Sequence, residues 1–149
     1  DIDKKNTNVP DGRATDLNRA CKQYDDIIES FGSIDIQVLG IGQNGHIGFN
    51  EPQNVFSTGT HIVDLTENTR EANKRFFNSI DEVPTKAITM GTKHIMQAKV
   101  VILVANGKNK ARAIKESFYG PVNPMVPASI LQYHKECYVF VDEDAASEI

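Results

Sequence analysis

The chain has 149 residues, 40% of them hydrophobic and 24% charged, with a net charge of −4. That is enough for one globular domain with a sizeable core, and residues 1–149 read as a single domain. Lys and Arg are scattered and outnumbered by Asp and Glu, which argues against nucleic acid as the main partner. No apolar run approaches a membrane span and no signal peptide is read, so no membrane partner is expected. Cys21 and Cys137 lack metal spacing and read as reduced thiols of a cytoplasmic protein.

In chain order, Asp1 to Gly12 is polar and reads as a loop, with Pro10-Asp11-Gly12 as a turn. From Arg13, apolar residues recur at Ala14, Leu17, Ala20, Cys21, Tyr24, Ile27, Ile28 and Phe31. That spacing predicts a helix, with Gly32 as its stop. A buried strand is predicted at 34–39, followed by a glycine-rich loop. His61 to Leu65 reads as a short strand, and Thr66 offers an N-cap for a helix through Phe77. Lys86 to Met90 is a strand candidate, and Thr92 to Gln97 a short helix. Val100 to Ala105 is continuous and β-branched, the pattern of a buried strand. Asn106-Gly107 turns into a helix over 108–118. Pro127 opens a helix to His134, and Cys137 to Val141 is the last strand. Alternating strands and helices predict an α/β domain with a mostly parallel sheet.

The most informative stretch is Leu39-Gly40-Ile41-Gly42-Gln43-Asn44-Gly45-His46-Ile47-Gly48-Phe49-Asn50-Glu51-Pro52. Four glycines allow sharp turns and close approach to a ligand. His46 and Glu51 sit five residues apart, and a carboxylate beside an imidazole can form a proton-transferring unit. The segment formally matches G-x-G-x-x-G after a strand, with Asp64 near the spacing of a ribose-binding acid. The dinucleotide reading fails, because that fingerprint needs a helix to start within the glycines. Here Gly45, Gly48 and Pro52 break any helix. No cofactor is expected. His61, His94 and His134 have no acidic or thiol partner at metal-ligand spacing, so no metal is expected either. Gln43-Asn44 occupies the place where a nucleophile elbow would need Ser or Cys.

The whole string resembles the signature of the glucosamine-6-phosphate deaminase (isomerase) family. The resemblance continues through Asn73-Lys74-Arg75-Phe76-Phe77, Val83-Pro84, Ala87-Ile88-Thr89-Met90-Gly91 and Gly107-Lys108-Asn109-Lys110-Ala111. It covers nearly the whole chain. The sister family, 6-phosphogluconolactonase, follows its Gly-His core with a different sequence. The resemblance implies an open three-layer, Rossmann-like α/β sandwich. It implies conversion of glucosamine 6-phosphate and water to fructose 6-phosphate and ammonia, in amino-sugar catabolism. It makes His46 the acid-base group that opens the pyranose ring, with Glu51 bonded to the imidazole. Asn44, where many members have Asp, would orient His46 as an acceptor. Arg75 and Lys110 would bind the sugar phosphate, and Gly40 would line the substrate. Residues 53–77 would act as a lid. Lys110 also carries a signal of its own, since a cation in the first turn of a helix opposes the dipole unless an anion binds there.

The resemblance further implies an N-terminal segment with a phosphate loop and the Asp-Glu pair whose Asp moves the sugar proton. Neither is found in these residues. The chain is therefore expected to show little deaminase activity alone and to associate with itself, as a homo-oligomer, through an unpaired strand edge. His61-Ile62-Val63-Asp64 lacks the fixed cations of allosteric relatives, so no activation by an acetylated amino-sugar phosphate is expected. Two other functions stand beside the deaminase: a phosphosugar-binding module without catalysis, and a 6-phosphogluconolactonase-like hydrolase.

Overall fold

A computed structural model describes residues 1–149. Strands β1 (Ile36–Leu39), β4 (Val100–Ala105) and β5 (Cys137–Val141) form a parallel sheet in the order β1-β4-β5. Leu39 pairs with Leu103, and Leu103 with Val139. Strands β2 (His61–Asp64) and β3 (Lys86–Thr89) are present where the sequence predicts them, but they form a separate antiparallel ribbon. They flank helix α2 (Glu67–Asn73) within the long insertion between β1 and β4. The α/β class and the parallel sheet thus agree with the alternation in the sequence.

Local chemistry shifts several boundaries. Helix α1 spans Leu17–Ser30 and does not begin at Arg13. The Arg13 amide donates to the Asp11 side chain, and Asp16 caps the helix by accepting from the Arg19 amide. Beyond the helix, Gly32 takes φ +86, the left-handed exit expected of it. Helix α2 stops at Asn73, short of Phe77, and Lys74–Phe76 continue as a 3₁₀ turn. There the Asn73 side chain donates to the Thr69 carbonyl, a local bond that competes with continuation of the helix. Helix α3 spans Thr92–Gln97 as expected. Lys108–Lys110 form a 3₁₀ turn before helix α4 (Ala111–Tyr119), and Pro127–Tyr133 are 3₁₀ rather than α-helical.

The core joins one face of the sheet to α3, α4 and the 127–133 turn. It is built on Leu39, Val101, Leu103, Ile95, Ile114 and Leu131. Burial along β4 alternates: Val101 and Leu103 are fully buried, whereas Val104 is 50% exposed. On β1 and β5, Ile36, Val38, Tyr138 and Phe140 are exposed as well. The expectation that 34–39 and 100–105 are buried throughout is therefore corrected. These residues furnish a helical layer on one face of the sheet, and the opposite face remains open. Elsewhere, Asp25 of α1 accepts from the Thr60 amide and hydroxyl and lies 3.0 Å from the buried His94 Nε2. That carboxylate ties α1 to α3 and to the residue preceding β2. Both cysteines are free.

Adjacent residues of β4 give a direct test. Leu103→Ala will cost roughly 2–5 kcal/mol in urea unfolding. Val104→Ala, one residue away on the open face, will change stability by less than about 1 kcal/mol.

Candidate functional site

The loop after β1 is shaped by its own backbone. The Gly42 amide donates to the His46 carbonyl at 2.8 Å, and the Gly45 amide to the Gly42 carbonyl at 3.0 Å. Gly45 (φ +82) and Gly48 (φ +60) occupy the left-handed region. Ile47 is fully buried beneath the loop. The Asn50 side chain donates to the Ile47 and Met90 carbonyls, which fastens the loop to the end of β3. No helix forms between residues 40 and 52, as the glycines and Pro52 predict. The loop leaves the carboxyl end of β1, where open parallel sheets place ligands.

This turn brings His46 and Glu51 together. Nδ1 of His46 lies 3.4 Å from Glu51 Oε2, an ion-pair distance rather than an aligned hydrogen bond. The two side chains are 19% and 9% exposed. Asn44 joins them differently from expectation. Its Nδ2 donates to Glu51 Oε2 at 2.7 Å, and its Oδ1 accepts from the His46 backbone amide at 3.3 Å. Asn44 therefore orients the carboxylate and the backbone, not the imidazole ring. A third donor comes from outside the loop: Thr69 Oγ1 of α2 donates to Glu51 Oε1 at 2.6 Å. Burial opposes ionisation of Glu51, but His46, Thr69 and Asn44 outweigh it and hold the carboxyl down to about 2. Glu51 is thus a buried anion, able to fix a neighbouring imidazole and to stabilise a proton on it.

Two contributors escape sequence reasoning. A Cβ at Gly42 would lie 2.3 Å from the His46 ring atoms, so this glycine is the floor on which the imidazole rests. The glycine-rich spacing signalled a close approach but not to what. Thr69 lies eighteen residues from Glu51 and reads in the sequence only as a helix residue near its cap.

The remaining predicted residues are placed unevenly. Lys110 Nζ donates to the Ile41 carbonyl at 2.7 Å, which sets this cation on the same loop as His46. Burial lowers its pKa. Gly40 ends β1 in open space, where an added Cβ meets nothing within 4 Å. Arg75 is exposed, with its guanidinium 4.8 Å from the Phe76 ring centroid, and no hydrogen bond joins it to the loop. No group of three or more His, Cys, Asp or Glu side chains converges anywhere in the chain. No helix is long and apolar enough to cross a membrane.

A parallel α/β sheet that carries, at its carboxyl end, an imidazole beside a buried carboxylate and a lysine bonded to the same loop describes a Rossmann-like domain. The family described as glucosamine-6-phosphate isomerases/6-phosphogluconolactonase matches residues 2–140, and the chain belongs to it. It is 53% identical over 148 residues to a glucosamine-6-phosphate deaminase of Clostridium novyi, covering 99% of this chain and 61% of that protein. It is 58% identical over 138 residues to the deaminase of Lachnoclostridium phytofermentans, covering 93% and 58%. The chain thus spans about three fifths of the length of these relatives. A solved monomeric glucosamine-6-phosphate deaminase superposes with a TM-score of 0.90 at 47% identity, covering 94% of this chain and 58% of that one. The 6-phosphogluconolactonase of Trypanosoma cruzi, at 18% identity, covers 88% and 51% with a TM-score of 0.66 and shares the fold.

Two measurements probe this geometry. Gly42→Ala will displace the His46 ring, visible as a shift of its imidazole proton resonances, while the chain stays folded. The second concerns acid. Because the Glu51 carboxyl is held below its ordinary 4.5, its contribution to stability is complete above that pH and is lost as pH falls toward 2. The difference in thermal midpoint between wild type and Glu51→Gln will accordingly shrink across that window.

Proposed function

We propose that this chain forms the ring-opening and phosphate-holding part of a glucosamine-6-phosphate deaminase. The observation that carries the reading is the buried Glu51 carboxylate at 3.4 Å from His46 Nδ1, on a loop that Lys110 also reaches. With Nδ1 toward Glu51, the other ring nitrogen, Nε2, is the one available to substrate. His46 takes the anomeric hydroxyl proton and returns a proton to the ring oxygen, which converts the pyranose to the open aldehyde. Glu51 supports the imidazolium that forms between these steps. Asn44 holds Glu51 in place. Loss of the C2 proton, with a proton gained on the aldehyde oxygen, then gives an enolamine; a proton returned to C1 makes the C2 imine, which water hydrolyses to the ketose and ammonia. No residue of this chain is assigned as the base at carbon. The sugar carbonyl itself acidifies the neighbouring C–H, so the route requires no cofactor.

Lys110 and Arg75 are the proposed phosphate ligands, with Gly40 lining the substrate. Lys110 is in place, whereas Arg75 must swing from its position over Phe76 as the 53–77 lid closes. The overall reaction is a hydrolytic deamination coupled to isomerisation. The free thiols suit a reducing cytoplasm. The open apolar sheet face supports self-association of the isolated chain.

The test is ammonia release from glucosamine 6-phosphate by the full-length parent. His46→Gln and Glu51→Gln will each lower kcat by roughly 10²–10⁴-fold. Residues 1–149 alone will show little turnover. Substrate binding without ammonia release from the parent would instead identify a phosphosugar-binding module. Hydrolysis of a phosphogluconolactone would identify the sister activity.

A further inference from the structure

Glu51 receives one of its donors from a segment that belongs to neither the loop nor the sheet. Thr69 is on α2, inside the stretch read as a lid, and is 6% exposed. Its hydroxyl donates to Glu51 Oε1 at 2.6 Å, while Asn44 occupies Oε2. The Thr66 hydroxyl donates to Thr69 Oγ1 at 2.9 Å, and the Thr69 amide donates back to Thr66 Oγ1 at 3.2 Å. Three hydroxyl and carboxyl groups therefore run in one directed chain from the start of α2 to the candidate catalytic pair. Such chains polarise each bond in turn. The next residue, Arg70, donates to the Ile80 and Val83 carbonyls. Those bonds stay within the insertion. Thr69 makes the side-chain hydrogen bond from α2 to the loop.

We infer that the Thr69 hydroxyl is a latch that docks the lid helix onto Glu51 and, through Glu51, sets the position of His46. Thr69 is a positioning residue, since it touches Glu51 and not the ring. The inference rests on the reading of His46 and Glu51 as the proton-transfer pair. It adds that lid docking and the geometry of that pair are one equilibrium. A carboxylate that accepts from the lid helps hold it, and a docked lid holds the carboxylate. By linkage each favours the other to the same extent. When Thr69 leaves, Glu51 Oε1 loses its donor in a site that is 9% exposed, so the undocked state carries an unmatched buried charge.

Amide hydrogen exchange of the purified chain tests the latch without reference to activity. Thr69→Val will speed exchange across 67–76 by about tenfold or more and leave β4 and β5 unchanged. Thr69→Ser keeps the hydroxyl and will exchange as wild type. Glu51→Ala will free the same segment, and the double variant with Thr69→Val will be no faster than either single one. Additive effects, or equal acceleration in the Val and Ser variants, would show that Thr69 merely packs the helix and would overturn the latch. In the full-length parent, Thr69→Val will lower kcat about tenfold or more with KM changed less than about threefold, and Thr69→Ser will restore it. A rise in KM with kcat intact would also overturn it. If the wild-type parent releases no ammonia, the deaminase reading fails, and the exchange cycle still decides the latch.

Discussion

An ionised carboxylate at a site only 9% exposed is costly unless donors surround it, and Glu51 sets that condition for the whole site. Its partners come from separate places: the donating amide of Asn44 within the loop, the imidazole two residues further on at 3.4 Å, and the donating hydroxyl of Thr69 on the insertion. Asn44 and His46 share Oε2, and Oε1 depends on Thr69. The order of the loop and of the helix above it is therefore tied to a single negative charge. That charge is stable at neutral pH because its donors outweigh the penalty of burial.

Much of this was legible in the sequence, and the illegible parts share a cause. The glycines and Pro52 announced a non-helical loop, and the five-residue spacing of His46 and Glu51 announced a pair. Both are local features. Thr69 was not legible because its partner is reached only when the insertion folds back over the loop. The role of Gly42 was half legible: close approach was signalled, but the approaching group was the chain's own imidazole. Asn44 reads in the sequence as a partner of the ring because an amide oxygen can accept a hydrogen bond. The fold places its donor end on Glu51 instead, where a carboxylate offers the stronger bond. The strands were found, but not their faces. Runs such as Val100 to Ala105 are apolar on both sides, and only the position of α3 and α4 decides which side is covered.

The insertion shows how a short helix can be held at its middle while the turn beyond it stays free. Thr69 fastens α2 to the loop, and Arg70 fastens the return toward β3. The 3₁₀ turn at Lys74–Phe76 lies beyond both anchors, and Arg75, Phe76 and Phe77 are exposed there. With helical bonding already broken at Asn73, that tip can move without unwinding α2. An arginine on such a tip can be presented to a ligand after the ligand arrives. A lysine fixed on the loop cannot be, and so the two cations have different parts to play.

Lys110 carries the argument for an anion furthest. Its ammonium is partly buried, burial is the single influence on its pKa, and that influence acts against the charge. Its hydrogen bond goes to the neutral Ile41 carbonyl. It stands at the N-terminal cap of α4, where the helix dipole repels a cation. Burial, dipole and neutral partner all leave this charge poorly compensated in the empty chain. An anion beside Nζ at the carboxyl end of β1 and β4 would offset each of them at once. The loop carbonyl would then serve to aim the ammonium rather than to neutralise it. A phosphate on the far end of a sugar fits that demand. On the proposed reading, that phosphate would leave the anomeric end of the same sugar to the loop that carries His46.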